Sequence, residues 1–243
     1  MTMEGEVYKN VVILGAPKCA TMHLARFFYE SENFCVVENS PKVPYESYNK
    51  IFKISYRGWK YKFCKTPGWI FNKKSISDVI GFISNYKRPT LVMVCIREFN
   101  ELLNSWYVMR KKEFPSFYGN MSLEKFKKCK SLENPEYTYE ECLLNIKSYI
   151  EYTIKLINYI DCIKLKIVDQ KNVASNSTSK MFKDWNVNVI SENYKYTYPR
   201  IKTTNCINDK SLHSAYLSII QDENIAKFFD NNHKNQLISE YLK

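Results

Sequence analysis

Lys18 and Thr21 stand three residues apart in a short turn, between the apolar run Val11-Val12-Ile13-Leu14-Gly15 and the stretch Leu24-Ala25-Arg26-Phe27-Phe28-Tyr29. The pattern reads as strand, loop and helix. At such a junction the first amides of the helix lack intrahelical partners, and the helix dipole adds positive potential at the same place. A lysine ammonium and a threonine hydroxyl in that turn predict an anion cradle, and phosphate is the anion it suits best. Pro17, Cys19, Ala20 and Met22 complete the turn. The triphosphatase P-loop needs Gly, four residues, then Gly-Lys-Ser/Thr. Here Lys18 comes three residues before Thr21, and no second glycine accompanies it.

Three more polar residues close apolar runs elsewhere. Glu38 follows Phe34-Cys35-Val36-Val37, Lys65 follows Tyr61-Lys62-Phe63-Cys64, and Arg97 follows Leu91-Val92-Met93-Val94-Cys95-Ile96. The last run is apolar throughout, as a central parallel strand covered on both faces is. Helical spacing is expected over residues 75–86, about 100–112 and 139–160, with a strand over 163–168. A further helix is expected to end near Met181–Trp185, before the short run 187–190. A last amphipathic helix runs through Ile225, Phe228, Phe229, Leu237, Ile238 and Tyr241. Segment 42–60 carries no assignment. Such alternation predicts an α/β fold: one domain over residues 1–243, with a central parallel sheet and helices on both faces. Ligands of these sheets sit beyond the carboxyl ends of the strands. Lys18, Glu38, Lys65 and Arg97 are therefore expected on one rim.

Composition narrows the partners. A hydrophobic fraction of 45% and an aromatic fraction of 15% over 243 residues can fill a sizeable core, which excludes global disorder. Lys and Arg number 36 against 25 Asp and Glu, a net charge of +11 that favours anionic partners. A general bias toward lysine would produce the same excess without any binding role. The 8 cysteines form no Cys-x-x-Cys pair and there are 3 histidines, so no metal site is expected. Cys35, Cys64, Cys95 and Cys162 read as buried reduced thiols. No export signal or membrane span is apparent, and a soluble cytoplasmic chain is expected.

The order Pro17-Lys18-Cys19-Ala20-Thr21-Met22-His23-Leu24 resembles the 5′-phosphosulfate loop of PAPS-dependent sulfotransferases, which typically reads Pro-Lys-x-Gly-Thr-x-x-Leu. Ala20 stands where that loop usually has glycine, and Met22 where it often has a second threonine. Lys65-Thr66-Pro67-Gly68-Trp69 looks like a segment after the third strand of the carbohydrate and heparan-sulfate members. Arg97 and Ser105 stand eight residues apart, the spacing of the family's 3′-phosphate motif. Ile167-Val168-Asp169-Gln170-Lys171-Asn172-Val173 resembles the strand and loop before the family's penultimate helix, with Gln170 in place of the more usual acid. Residues 8–110 carry the resemblance well and the remainder loosely.

The resemblance implies a P-loop-NTPase-like sulfotransferase fold and transfer of a sulfuryl group from PAPS to a hydroxyl or amine of a carbohydrate or small molecule. The product adenosine 3′,5′-bisphosphate would be released without help from a metal. It also implies roles. Lys18 would neutralise the leaving oxygen, with Lys65 nearby. Pro17, Cys19, Ala20, Thr21 and Met22 would line the 5′-phosphate site. Arg97 and Ser105 would hold the 3′-phosphate, with Arg200 and Lys202 over it, and Glu38 would be the general base. His23 reads as a helix-start residue facing its own loop, and Arg110, Lys111 and Lys112 as a solvated helix end, with an acidic acceptor such as an anionic saccharide as the alternative they could face. Two other functions remain open. One is a non-catalytic nucleic-acid-binding protein that uses scattered basic residues and 19 tyrosines. The other is a nucleotide kinase-like phosphotransferase, which the missing P-loop arrangement disfavours.

Overall fold

Runs rich in branched and aromatic side chains suit a pleated, covered surface, and here such runs pair into one sheet. The computed structural model describes residues 8, 10–21, 24, 34–36, 61–67, 69–85, 87–173, 178–185, 187 and 208–229. Its strands are β1 (Asn10–Gly15), β2 (Phe34–Val36), β3 (Tyr61–Pro67), β4 (Thr90–Ile96) and β5 (Ile163–Asp169). They run parallel in the order β2-β3-β1-β4-β5. Every residue of β1 and β4 is buried. Since successive side chains point to opposite faces, both faces of the sheet centre are covered.

The helices are α1 (Lys73–Asn85), α2 (Phe99–Glu113), α3 (Pro115–Tyr118), α4 (Leu123–Lys127), α5 (Tyr139–Leu144), α6 (Ile146–Ile157), α7 (Gln170–Val173), α8 (Thr178–Asp184), α9 (Lys210–Gln221) and α10 (Glu223–Ala226). Expected element types hold wherever the described residues test them, with boundaries moved by one to three positions. The stretch 139–160 differs: it is two helices that meet at Asn145. Thr138 and Glu141 form a reciprocal capping box at the start of α5, and the Asn145 amide closes its end on the Glu141 and Leu143 carbonyls. The last helix is described only as α10, and residues 230–243 lie outside the described residues. Among the described residues, no helix is long and apolar enough to cross a membrane.

Strand order decides where a ligand can sit. From β1 the chain moves toward β3 and β2, and from β4 it moves the other way to β5. The order therefore reverses between β1 and β4. A crevice opens at such a reversal, beyond the carboxyl ends of the two strands. Register fixes its floor: Gly15 of β1 is level with Cys95 of β4 and Pro67 of β3, and Ile96 is level with Asp169 of β5.

Helix α2 forms one wall. It starts two residues after β4, with the Glu98 carboxylate accepting from the Glu101 amide as its cap. It is held in place by Trp106, which is 0% exposed and packs edge-on against Phe71 and tilted against Tyr139. Tyr139 in turn stacks on Phe126 at 4.2 Å. Burying one such ring contributes roughly 2–3 kcal/mol. Helix α9 docks beside the start of α2, where Asn100 Nδ2 donates to the Asp209 carbonyl (3.2 Å) and Asn100 Oδ1 accepts from the Asp209 amide (3.0 Å). His213 Nδ1 lies 3.5 Å from Glu98 Oε1 at the same junction.

Candidate active site

The turn after β1 is built to a narrow tolerance. Gly15 has no side chain because there is no room for one: a Cβ there would lie 2.6 Å from the Thr21 methyl and 3.0 Å from Cys95 Cβ. Beyond it, Lys18 (φ 72°) and Ala20 (φ 59°) both adopt left-handed backbone. That conformation costs a residue with a Cβ roughly 1–2 kcal/mol. Left-handed residues in a turn swing amide N–H groups into concavities that bind anions. Ala20 thus accepts, at a cost, the geometry that glycine adopts freely. The Leu24 amide donates to the Ala20 carbonyl (3.1 Å), so a helical turn begins where the loop ends.

Three bonds pin the loop. The Cys19 amide donates to the Ala16 carbonyl (3.3 Å). Trp106 Nε1 donates to the Pro17 carbonyl (2.9 Å). Arg97 Nη1 reaches from the end of β4 to the Lys18 carbonyl (3.4 Å). Buried indole N–H groups seek an acceptor, and this one finds it in the loop, so α2 braces the turn it faces.

Several expected residues meet here. Pro17 and Lys18 are half-buried, and Thr21 is buried. Arg97 follows β4 directly and meets the loop at the Lys18 carbonyl. Ser105 lies on α2, half-buried, eight residues after Arg97. Cys19 differs from its expected place. Its amide is turned back onto Ala16, its side chain is 0% exposed, and burial, with Cys95 as the next cause, pushes its thiol well up. What Cys19 supplies is packing under the loop. Lys65 lies inside β3, level with Ile13 and two residues short of the Gly15 level, rather than beyond the strand end. Met22, His23, Glu38, Arg200 and Lys202 fall outside the described residues. Arg110, read as solvated, is instead tucked in: Nη2 pairs with Glu133 at 2.5 Å and Nη1 with Glu113 at 2.6 Å.

Two residues enter that the sequence reading passed over. Trp106 offered no local signal, because its role is a contact with a loop 89 residues away. Glu101 offered one, being four residues from both Arg97 and Ser105. Its Oε2 accepts from Arg97 Nε at 3.1 Å.

Behind the crevice sits Asp169, 1% exposed at the end of β5. Its Oδ1 accepts from the Lys171 amide (2.8 Å) and its Oδ2 from the Tyr216 hydroxyl of α9. Burial raises its carboxyl to about 6, against the lowering effect of the Tyr216 bond. A folded-state value above the unfolded one means that the native state holds the proton more tightly. The contribution to stability is therefore full below about pH 4 and disappears as pH rises through 6. It amounts to about 3 kcal/mol at most. The Asp169→Asn variant should lack this dependence. In urea unfolding, the wild-type stability minus that of the variant should fall by a few kcal/mol between pH 4 and 7. A difference that stays flat would show that Asp169 does not titrate in that range.

No family model matches the chain and no curated protein matches it. Among solved structures, the chain is similar to a sulfotransferase from Alicyclobacillus acidocaldarius, with a TM-score of 0.58 over 98% of this chain and 100% of that one, at 11% identity. A mouse sulfotransferase, SULT7A1 complexed with PAP, aligns with a TM-score of 0.48 over 96% of this chain and 83% of that one, at 9% identity. At such identities the likeness to the bacterial protein is one of fold.

Proposed function

We propose that this chain, which has the sulfotransferase fold, moves a sulfuryl group from PAPS to a hydroxyl or amine of a carbohydrate or small-molecule acceptor. One observation carries the reading. At the point where strand order reverses, the turn that carries Lys18 and a strand-end arginine are joined by the bond from Arg97 to the Lys18 carbonyl, which brings a lysine turn and a guanidinium together at one switch point. A nucleotide with phosphate at both its 3′ and 5′ positions needs two such sites side by side.

The residues present suit that donor. Lys18 carries a charge and the turn carries left-handed amides for the 5′ group, with Thr21 below. A guanidinium has five N–H groups, and Arg97 uses one on Glu101 and one on Lys18, which leaves three for a 3′-phosphate. The Ser105 hydroxyl, with no hydrogen bond among the described residues, is the second ligand. Arg200 and Lys202 are proposed to cover that phosphate, with Met22 beside the 5′ group. In the reaction the bond between sulfur and the bridging oxygen of the donor breaks as the acceptor oxygen bonds to sulfur. Lys18 neutralises the charge left on the 5′-phosphate, Lys65 supports it, and Glu38 takes the acceptor proton. Alignment and charge neutralisation are the main contributions a protein makes to such transfers.

Calorimetric titration tests the reading. The wild type should bind adenosine 3′,5′-bisphosphate more tightly than adenosine 5′-phosphate, ATP or a single-stranded oligonucleotide. Arg97→Ala should cost the bisphosphate about 2 kcal/mol, or roughly thirtyfold, by loss of a charged hydrogen-bonding partner. Adenosine 5′-phosphate should lose much less, because it lacks the group that Arg97 holds. Equal losses would overturn the assignment of Arg97, and preference for the oligonucleotide would favour a nucleic-acid-binding function.

A further inference from the structure

The Arg97 guanidinium is aimed from one side and used on another. Glu101 Oε2 holds its Nε at 3.1 Å, and its Nη1 meets the Lys18 carbonyl at 3.4 Å. Nε belongs to one edge of a rigid planar fork. Fixing that edge fixes the direction of the remaining N–H groups. Glu101 sits on the first turn of α2, four residues before Ser105, so it shares a helix face with that hydroxyl. A carboxylate thus stands between the two residues proposed to grip a phosphate.

Simple electrostatics makes that position unfavourable. A negative group within a helical turn of a phosphate repels it, and removing the group should tighten binding. Folding accounts for the carboxylate only weakly: an acid in the first turn of α2 suits the helix dipole, an effect that is small at an exposed position. The pair joins a 19% exposed Arg97 side chain to a 44% exposed Glu101 side chain four residues on, and pairs so exposed add little to stability. What the pair does hold is direction: it turns the guanidinium toward Lys18, a residue in left-handed backbone whose carbonyl has to be held in place.

We infer that Glu101 is a positioning residue of the nucleotide site: it orients the Arg97 guanidinium so that one side chain both braces the Lys18 turn and presents its free N–H groups to the 3′-phosphate. The inference rests on the donor site proposed above. It couples the two anion subsites through one ion pair, so disturbing Glu101 reaches both.

The sign of a charge-removing substitution separates positioning from repulsion. Glu101→Gln keeps an acceptor oxygen for Arg97 Nε and removes the charge. Its affinity for adenosine 3′,5′-bisphosphate should equal or exceed that of the wild type. Glu101→Ala removes both acceptor and charge, and should bind the bisphosphate about tenfold more weakly and adenosine 5′-phosphate a few-fold more weakly. An alanine variant that binds as tightly as wild type or better would overturn the inference, since repulsion alone would then describe Glu101.

A second readout needs no ligand. Nitrogen-15 NMR should show a protected Arg Nε–H signal that is absent from Arg97→Lys, present in Glu101→Gln and lost in Glu101→Ala. If that signal survives in Glu101→Ala, Glu101 does not position Arg97, whatever the protein binds. If the wild type shows the Glu101-dependent signal but binds no bisphosphate, the donor reading fails, and with it the role at the 3′-phosphate. Only the brace on the Lys18 turn would then stand.

Discussion

Lys18→Ala should lower the rate constant for sulfuryl transfer by about 10²–10³-fold, the loss seen when one preorganised donor at a developing negative charge is removed. The loop argues for a rate effect more than a binding effect. Lys18 is held in left-handed backbone by the Arg97 bond to its carbonyl, with the Trp106 bond one residue earlier and the Cys19 turn one residue later. Alanine also has a Cβ, so the backbone penalty is unchanged and the turn should keep its shape. The ground-state nucleotide would still meet the loop amides, Thr21, Arg97 and Ser105. Affinity for adenosine 3′,5′-bisphosphate should fall by about tenfold or less. The check is single-turnover release of adenosine 3′,5′-bisphosphate from PAPS, with any acceptor that supports wild-type turnover or with water. If rate and affinity fall by the same factor, Lys18 only binds the nucleotide and does not assist departure of the leaving oxygen.

The parts of this fold that were legible in sequence are those in which one local pattern decides the outcome. Run 91–96 is apolar at every position, and as β4 it is buried on both faces at the sheet centre. The polar turn after Leu14 had to be a loop, and residues 16–20 form one. Where two local patterns compete, spacing alone does not decide. The apolar period from Tyr139 to Ile160 continues through Asn145, yet the capping box at Thr138 and Glu141 starts a separate short helix. Helix α9 was passed over although Leu212, Tyr216, Ile219 and Ile220 recur at helical spacing and Asp209 caps its first turn. Its neighbours in sequence show little periodicity, and that hid it.

Other features are not local at all. Trp106 braces the loop from 89 residues away and Asn100 ties α9 to α2 across 109 residues. Spacing in sequence cannot announce either contact. Lys65 shows the same limit at smaller scale. A change from apolar to polar residues reads as the end of a strand, but pairing with β1 carries β3 on to Pro67.

That depth bears on the general base, where the second large effect is expected. Glu38→Gln should lower turnover by roughly a hundredfold or more, with bisphosphate affinity nearly unchanged. Glu38 itself lies outside the described residues. Val36, the last residue of β2, pairs with Phe63 of β3. Glu38 and Lys65 each come two residues further along the chain from those partners. In the proposed site Glu38 and Lys65 are neighbours. Proton removal depends on a direct hydrogen bond from the acceptor hydroxyl to Glu38. The competing account is an ion pair that only shapes the rim. Glutamine separates the two, since it retains size and hydrogen bonding while losing basicity. If turnover survives within a few-fold, Glu38 is a structural partner of lysine and another group deprotonates the acceptor. If turnover collapses with the nucleotide still bound, Glu38 acts on the acceptor itself. The pH–rate profile of the wild type should then show an acidic limb that the glutamine variant lacks.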